Sequence, residues 1–450
     1  MDNKEIESNN INSRFINLTG LMIIFLLMLP SAFFLVNLKP YLMIFSVIIS
    51  LAITLIFFTY KPVITIYHKN LLILLAIIYI YLAISYFFTN QSLGNFLSYS
   101  FIRNDGNFFF CYLPFFMFAV PFFNYKKAIR IFYFIIFVVF TSFALFGIFE
   151  YLTKFSDFTL QHNSGAGYMF VAFNFAHNAT GSIYAVVSIF ALIFFLEEKL
   201  KKYKVLYLLA FIICVAGLFI TKSRGSYVGF AAGFIFVLWM YFKSIKKFLI
   251  SILIFLAAFL PFIFITDTHK RIFQIFTSFK GGSDAYTTIT RMDLWGKAWY
   301  LFERSPLFGV GFGRYNDIEK SLYYRLEGIS GVVSTYNDQN FIFNTSHAHN
   351  SYLHFLAEIG IVGLFLILLF WFICYKIILK AYQDTGDRYL KKFYLAGLAS
   401  IIVLFFLAFT ENYFSATTIM VCISMQLSLT IGVFSMENRF KKINGFNSFT

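Results

Sequence analysis

Apolar and polar positions alternate along this chain in long blocks, not with the short period of a soluble helix or strand. About 20 apolar residues are enough to cross a bilayer as a helix. The blocks predict transmembrane helices over residues 17–37, 41–59, 70–88, 107–123, 129–150, 179–196, 204–221, 225–242, 247–266, 357–379, 393–410 and 416–434. The block 107–123 is the weakest, because Pro114 and Pro121 interrupt it.

The composition indicates that lipid is the main solvent of the protein. Hydrophobic residues make up 60% of the 450 residues and charged residues only 13%, whereas soluble proteins are about 45–50% apolar and about 25% charged. The four cysteines lie inside apolar blocks without CxxC spacing, so we interpret them as small buried residues. The predicted fold class is an all-α polytopic membrane protein with about twelve transmembrane helices.

Lysine and arginine are distributed unevenly between the two sides of the predicted helices. The side of the N-terminus carries 22 of them, the short loops of the other side carry 5, and the segment 267–350 carries the remaining 9. Because basic loops stay in the cytoplasm, we predict that both termini are cytoplasmic and that 267–350 is extracytoplasmic. The basic residues are scattered between helices, which argues against a nucleic-acid partner.

The topology divides the chain into four predicted regions. Helices one to nine occupy residues 1–266, and an extracytoplasmic loop with short interfacial helices occupies 267–350. Helices ten to twelve occupy 351–434, and a cytoplasmic tail occupies 435–450. Loops as long as 267–350 between packed elements are usually functional.

Two arginines outside the helical blocks are suited to an anionic ligand. Arg224 lies in a very short turn on the side with few basic residues. Arg291 precedes residues 294–299, where Leu294, Trp295, Ala298 and Trp299 predict an amphipathic helix, and we expect it to hold an anion against the start of that helix. A guanidinium donates two parallel hydrogen bonds to a phosphate. An arginine that only reaches the membrane surface is the competing interpretation.

A glycine-rich segment follows, with Gly309, Gly311 and Gly313 preceding Arg314. The spacing is similar to that of a nucleotide-binding loop, but no strand–helix unit surrounds it. We therefore expect the glycines to form a tight turn at the membrane surface.

Three of the seven histidines occur within eight residues, at the entry to the tenth predicted helix: His347, His349 and His354. Asn350 or Ser351 can cap this helix, and Asn350, His354 and Glu358 recur on one face. A neutral histidine acting as a general base is the favoured interpretation. Interfacial histidines without chemistry, and a metal site formed by His347, His349, His354 and Glu358, remain open.

These segments resemble the O-antigen ligase and polymerase family of bacterial inner-membrane proteins. The ligase pattern is H, then N, S or Q, then nine residues, then GxxG, and it is satisfied by His349, Asn350, Gly360 and Gly363. Three further segments resemble motifs of the family: Arg291-x-x-Leu294-Trp295-x-x-Ala298 followed by Pro306-Leu307-x-Gly309-x-Gly311-x-Gly313; Ser223-Arg224-Gly225; and, more weakly, Phe173-Asn174 to Asn178.

The resemblance implies a membrane-embedded, inverting glycosyltransferase that uses neither a metal nor a cofactor. Its donor would be a glycan on undecaprenyl diphosphate and its acceptor a hydroxyl, on lipid A–core oligosaccharide in a ligase. The implied roles are diphosphate binding and catalysis for Arg224 and Arg291 and general base for His349. Supporting roles would fall to Asn350, His347, Tyr352, His354, Glu358 and Arg314.

Other functions stay open at this point. A Wzy-type polymerase would use a second lipid-linked repeat as acceptor, and a protein O-oligosaccharyltransferase would use a protein hydroxyl. A transporter of lipid-linked sugars would need charged residues within the spans, and few are present. The implied location is the bacterial inner membrane, with the active site on the periplasmic face. The pattern leaves the oligomeric state open.

Overall fold

The computed structural model describes residues 66–88, 93–96, 98, 105–117, 125–155, 159–163, 167–171, 176–242, 244–266, 268–277, 286–315 and 347–443. The predicted helices 17–37 and 41–59 lie outside these ranges.

The described chain is helical apart from one hairpin. In order, the elements are α1 Ile66–Phe87, α2 Leu93–Phe96, α3 Asn107–Cys111, α4 Leu113–Met117, α5 Tyr125–Thr153, β1 Leu160–Asn163, β2 Gly167–Phe170, α6 His177–Glu197, α7 Lys201–Ile220, α8 Arg224–Tyr241, α9 Ile245–Ile265, α10 Thr268–Thr277, α11 Tyr286–Arg304, α12 Ser351–Asp384, α13 Arg388–Leu407 and α14 Thr417–Ile443.

Eight helices among the described residues are long and apolar enough to cross a membrane: α1, α5, α6, α7, α9, α12, α13 and α14. Each coincides with a predicted span, which confirms these eight predictions. The predicted span 225–242 forms α8, an 18-residue helix that is not among the eight. The predicted total of about twelve remains a prediction.

The predicted continuous span 107–123 is not confirmed over its described residues, 107–117. Its described part forms the two short helices α3 and α4, which meet at Tyr112. Pro114 lies at the start of α4, where its missing N–H costs no helical hydrogen bond. The proline therefore begins a new helix instead of sitting inside a long one.

The all-α prediction also missed a small antiparallel hairpin of β1 and β2, which pairs Leu160 with Phe170. The buried Phe170 ring lies directly against Gly147 of α5. The hairpin therefore covers the end of the bundle at which α5 ends and α6 begins.

Two glycines bring α8 into close contact with α13. A Cβ at Gly229 would clash with Leu407 and one at Gly233 with Val403, both on α13. Such small residues let helix backbones approach closely within a membrane. The packing fixes the start of α8, which carries Arg224, relative to α6 and α13.

A sharp kink at Gly360 divides α12. Gly360 has φ +65°, a left-handed conformation that costs glycine little. The backbone groups released at the kink bond to the glycine-rich loop: Val310 N–H donates to Ala357 O (3.0 Å), Gly311 N–H to Glu358 O (2.9 Å) and Ile361 N–H to Pro306 O (2.9 Å). The expected turn at 309–313 is thus formed, and it packs against the kink.

Candidate active site

Two histidines and one glutamate form the centre of the site. His349 Nδ1 lies 2.7 Å from both carboxylate oxygens of Glu411, and His347 Nδ1 lies 3.3 Å from Glu411 Oε1. The two imidazole rings meet edge to face with centroids 4.5 Å apart. A neutral His349 that donates its Nδ1–H to the carboxylate has its lone pair on Nε2.

The backbone at His349 is held in a left-handed conformation, with φ +48°. This conformation is uncommon outside glycine and occurs often at functional sites. It precedes Asn350, whose side-chain oxygen accepts from the N–H groups of Tyr352 (3.0 Å) and Leu353 (3.1 Å). The expectation that Asn350 or Ser351 caps the helix is confirmed for Asn350.

Ser351 ties the start of α12 to the turn that carries Glu411, between α13 and α14. Its N–H donates to Ala408 O (2.8 Å), and its hydroxyl donates to Glu411 O (3.0 Å). The same hydroxyl accepts from Phe414 N–H (3.2 Å). The relative position of His349 and Glu411 therefore follows from backbone contacts as well as from the side-chain pair.

The surroundings of Glu411 favour its charged form. Burial alone would raise its pKa, but the hydrogen bond from His349 and the charges of His347, His349 and Arg291 lower it to about 2. Burial and the neighbouring His349 hold the pKa of His347 below its ordinary value, although Glu411 opposes them. At neutral pH, His347 is therefore neutral beside a carboxylate.

Three arginines act on one side chain at the start of α6. His177 interacts electrostatically with four charged groups: Arg271, Arg291, Glu411 and Arg224. Arg291 influences Glu411 as well. Residues from α8, α10 and α11 thus bring positive charge to His177, and Arg291 extends it to Glu411.

A hydrogen-bond network fixes the framework under these charges. Ser223 Oγ donates to Asn178 Oδ1 (2.9 Å) and lies 2.8 Å from Ser226 Oγ. Tyr413 donates to Asn178 O (2.9 Å). The starts of α6 and α8 are thereby joined to the turn that carries Glu411.

A second polar cluster lies beneath the first and is almost completely buried. His354 Nε2 is 3.5 Å from Glu358 Oε2, and Tyr315 N–H donates to Glu358 Oε1 (3.0 Å). Lys297 lies over the Tyr315 ring (4.2 Å) and interacts electrostatically with His354. The cluster joins α11 and the glycine-rich loop to α12.

The metal site considered from the sequence is divided between these clusters. His347 and His349 group with Glu411, whereas His354 and Glu358 group with Asp105. In each group, three possible ligand atoms lie within 4.8 Å of one another.

The sequence did not predict the structural positions of three candidate site residues: Arg291, Tyr352 and Arg314. The helix around Arg291 is confirmed, but it begins at Tyr286, so Arg291 lies inside α11 and not before it. The expectation of an anion held against the start of this helix is therefore wrong. Tyr352 donates to Phe405 O (2.9 Å) within the bundle. Arg314 follows the glycine loop, where its N–H donates to Gly311 O (3.1 Å).

Sequence reasoning missed Glu411, Arg271 and His177. Glu411 is 62 positions from His349, in a short turn with no local pattern around it. Arg271 lies in α10, Thr268–Thr277, a short helix that is not one of the membrane-spanning helices. The position of an acidic residue between two apolar spans was the only available signal for Glu411.

Comparison with known proteins identifies one family. Residues 209–368 match the family model described as O-antigen ligase, and the matched region contains Arg224, Arg271, Arg291 and His349. The match confirms the resemblance found in the sequence and is consistent with an O-antigen ligase-like family for the chain. No match is found among curated proteins.

Proposed function

We propose, from the match of residues 209–368 with O-antigen ligases, that this protein transfers a glycan from undecaprenyl diphosphate to a hydroxyl of lipid A–core oligosaccharide. The observation that carries the proposal is the His349–Glu411 pair, at 2.7 Å, with Arg291 acting on both Glu411 and His177 and with Arg224 and Arg271 acting on His177. A general base and an anion-binding group are the two requirements of this reaction.

The histidine supplies the base. In the proposed step, His349 Nε2 accepts the proton of the acceptor hydroxyl while its oxygen attacks the anomeric carbon. The bond between that carbon and the diphosphate oxygen breaks, and the glycosidic bond forms on the opposite face with inversion. Glu411 holds the imidazole in the required tautomer and stabilises the imidazolium that forms.

The arginines bind the leaving group. Undecaprenyl diphosphate departs as an anion, so charge grows on its oxygens in the transition state, and guanidinium groups stabilise that charge. The lipid diphosphate is itself a good leaving group, so no nucleotide cofactor is needed. We assign the diphosphate contacts to Arg224 and Arg291.

The location follows from the distribution of basic residues. We propose that the protein lies in the bacterial inner membrane, with both termini in the cytoplasm and the active site on the periplasmic face. A reporter that is active only in the cytoplasm should be inactive when fused near Gly282. Activity of that fusion would contradict the topology.

Transfer assays with two acceptors test the function. The purified chain in proteoliposomes would receive labelled glycan on undecaprenyl diphosphate, with either lipid A–core or a second lipid-linked repeat. We expect label on lipid A–core. Elongation of the repeat alone would show a polymerase, and label on neither acceptor would contradict the proposal.

The grouping of His347, His349 and Glu411 favours one competing mechanism, in which the three residues bind a metal ion. A bound metal would activate the acceptor hydroxyl as a Lewis acid. Activity that is lost with a chelator and restored by zinc would support this mechanism over a histidine base.

A further inference from the structure

A cavity of about 900 Å³ lies at the opposite end of α6 from His177. It is bounded by α5, α6, α7 and α13. Arg130, Glu198 and Lys392 line one end, and aromatic and aliphatic side chains line the remainder. Its charged end is separated from His177 by the length of α6, which is about 30 Å for a helix of 21 residues.

The polar end of the cavity carries an excess of positive charge. Arg130 lies over the Tyr389 ring (4.2 Å), and Lys392 lies near the same ring (4.3 Å). Lys392 also pairs with Glu198 (3.6 Å). Among the described residues, no carboxylate forms an ion pair with Arg130, and the cavity lining contains two cations and one carboxylate.

Nearby carboxylates are already engaged elsewhere. Glu197 pairs with Arg388 (3.5 Å), and Glu437 pairs with Lys126 (3.2 Å). Arg130 is exposed, so an anion from outside the chain can reach it. A phosphate suits this position, because a guanidinium binds it with two parallel hydrogen bonds.

The depth of the cavity fits one acyl chain. Along α5, its lining runs from Arg130 to Ser142, a rise of about 18 Å at 1.5 Å per residue. This is close to half of the roughly 30 Å hydrocarbon core. Phe134 and Val138 on this wall are 68% and 50% exposed, so a chain can enter from the side.

We propose that this cavity binds one anionic phospholipid of the leaflet opposite the His349 site. The phosphate lies against Arg130 and Lys392, and one acyl chain fills the space between α5 and α7. A donor bound at Arg224 and Arg291 cannot occupy this place with its diphosphate, because those residues lie at the other end of the bundle. The proposal is independent of the transfer reaction.

Native mass spectrometry of the full-length protein tests this directly. The detergent-purified protein is mixed with equal amounts of phosphatidylglycerol and phosphatidylcholine of identical acyl chains. We expect the wild type to retain one phosphatidylglycerol at least about fivefold more often than phosphatidylcholine. Arg130→Gln should bring that ratio close to one, whereas Lys201→Gln, a change at an exposed lysine outside the cavity, should preserve it.

A second variant tests the apolar part. Val138→Trp should reduce retention of both lipids, because the indole occupies the acyl path. Inorganic phosphate at the same concentration should not displace the phospholipid. Equal retention of the two lipids by the wild type, retention of neither, or an unchanged ratio in Arg130→Gln would overturn the proposal.

Discussion

Substitution of Glu411 by Gln removes the negative charge beside His349 and keeps the size of the side chain. His349 Nδ1 lies 2.7 Å from both oxygens of this carboxylate, a distance typical of a charge-assisted hydrogen bond. Hydrogen bonds to charged groups contribute about 1.5–3 kcal/mol. Because the charge matters most when His349 becomes an imidazolium, we expect kcat to fall about 10- to 150-fold.

The Glu411→Gln substitution should not weaken donor binding. Glu411 lies within the electrostatic influence of Arg291, so its neutralisation leaves the arginine group more positive. The Kd for undecaprenyl-diphosphate glycan should therefore stay constant or decrease. Single-turnover transfer and equilibrium donor binding, measured on the same preparation, separate the two effects. Glu303→Gln is the matched control, because Glu303 lies exposed on α11 and accepts from Trp299 Nε1 (2.8 Å), away from Glu411.

The pH dependence provides a further check on Glu411→Gln. The pKa of Glu411 is lowered to about 2 from an ordinary value of 4.5. The stabilisation from its charge is therefore fully present above about pH 4.5 and lost as the pH falls through about 2. The ratio of wild-type to Glu411→Gln rates should be constant above about pH 7.5, where histidines are ordinarily neutral. A ratio that approaches one in this range, or a variant whose transfer and donor binding decline together, would refute the reasoning.

Two further perturbations test the binding group and the scaffold. Arg224→Lys and Arg291→Lys should each cost about 2–4 kcal/mol of transition-state stabilisation, seen as slower transfer, because an ammonium cannot reproduce the bidentate fork; full activity of both variants would contradict their assignment. Gly309→Ala should lower the free energy of unfolding by about 1–3 kcal/mol and lower the thermal midpoint, because φ is +74° there and a Cβ would meet the backbone of α12 at the kink. Gly296→Ala, where a Cβ meets nothing within 4 Å, should keep or raise that midpoint, because alanine favours a helix over glycine.

The sequence was sufficient for the helices whose apolar blocks are long and uninterrupted. It was insufficient where backbone geometry depends on tertiary contacts. Gly360 stood out in the sequence as part of the GxxG pattern, yet it forms a kink whose hydrogen bonds come from a loop about fifty residues earlier. No periodic pattern encodes such a contact, because the helix continues with apolar residues on both sides.

The candidate site was also predicted only in part from the sequence. His349 and Asn350 stand out because histidines cluster there and Asn350 can cap a helix. Glu411 does not stand out, because its role comes from a turn that Ser351 fastens to the start of α12. Arg291 was found for its charge but placed wrongly, since α11 begins five residues earlier, at Tyr286.

The most direct test of the central claim compares His349→Ala with His347→Ala in the transfer assay, with and without a chelator. Loss of a general base typically slows a reaction about 10²–10⁴-fold. The account predicts such a loss for His349→Ala with donor binding retained, a milder loss for His347→Ala, and wild-type transfer that a chelator does not change. Wild-type rates in His349→Ala, or transfer that a chelator abolishes and zinc restores, would contradict it.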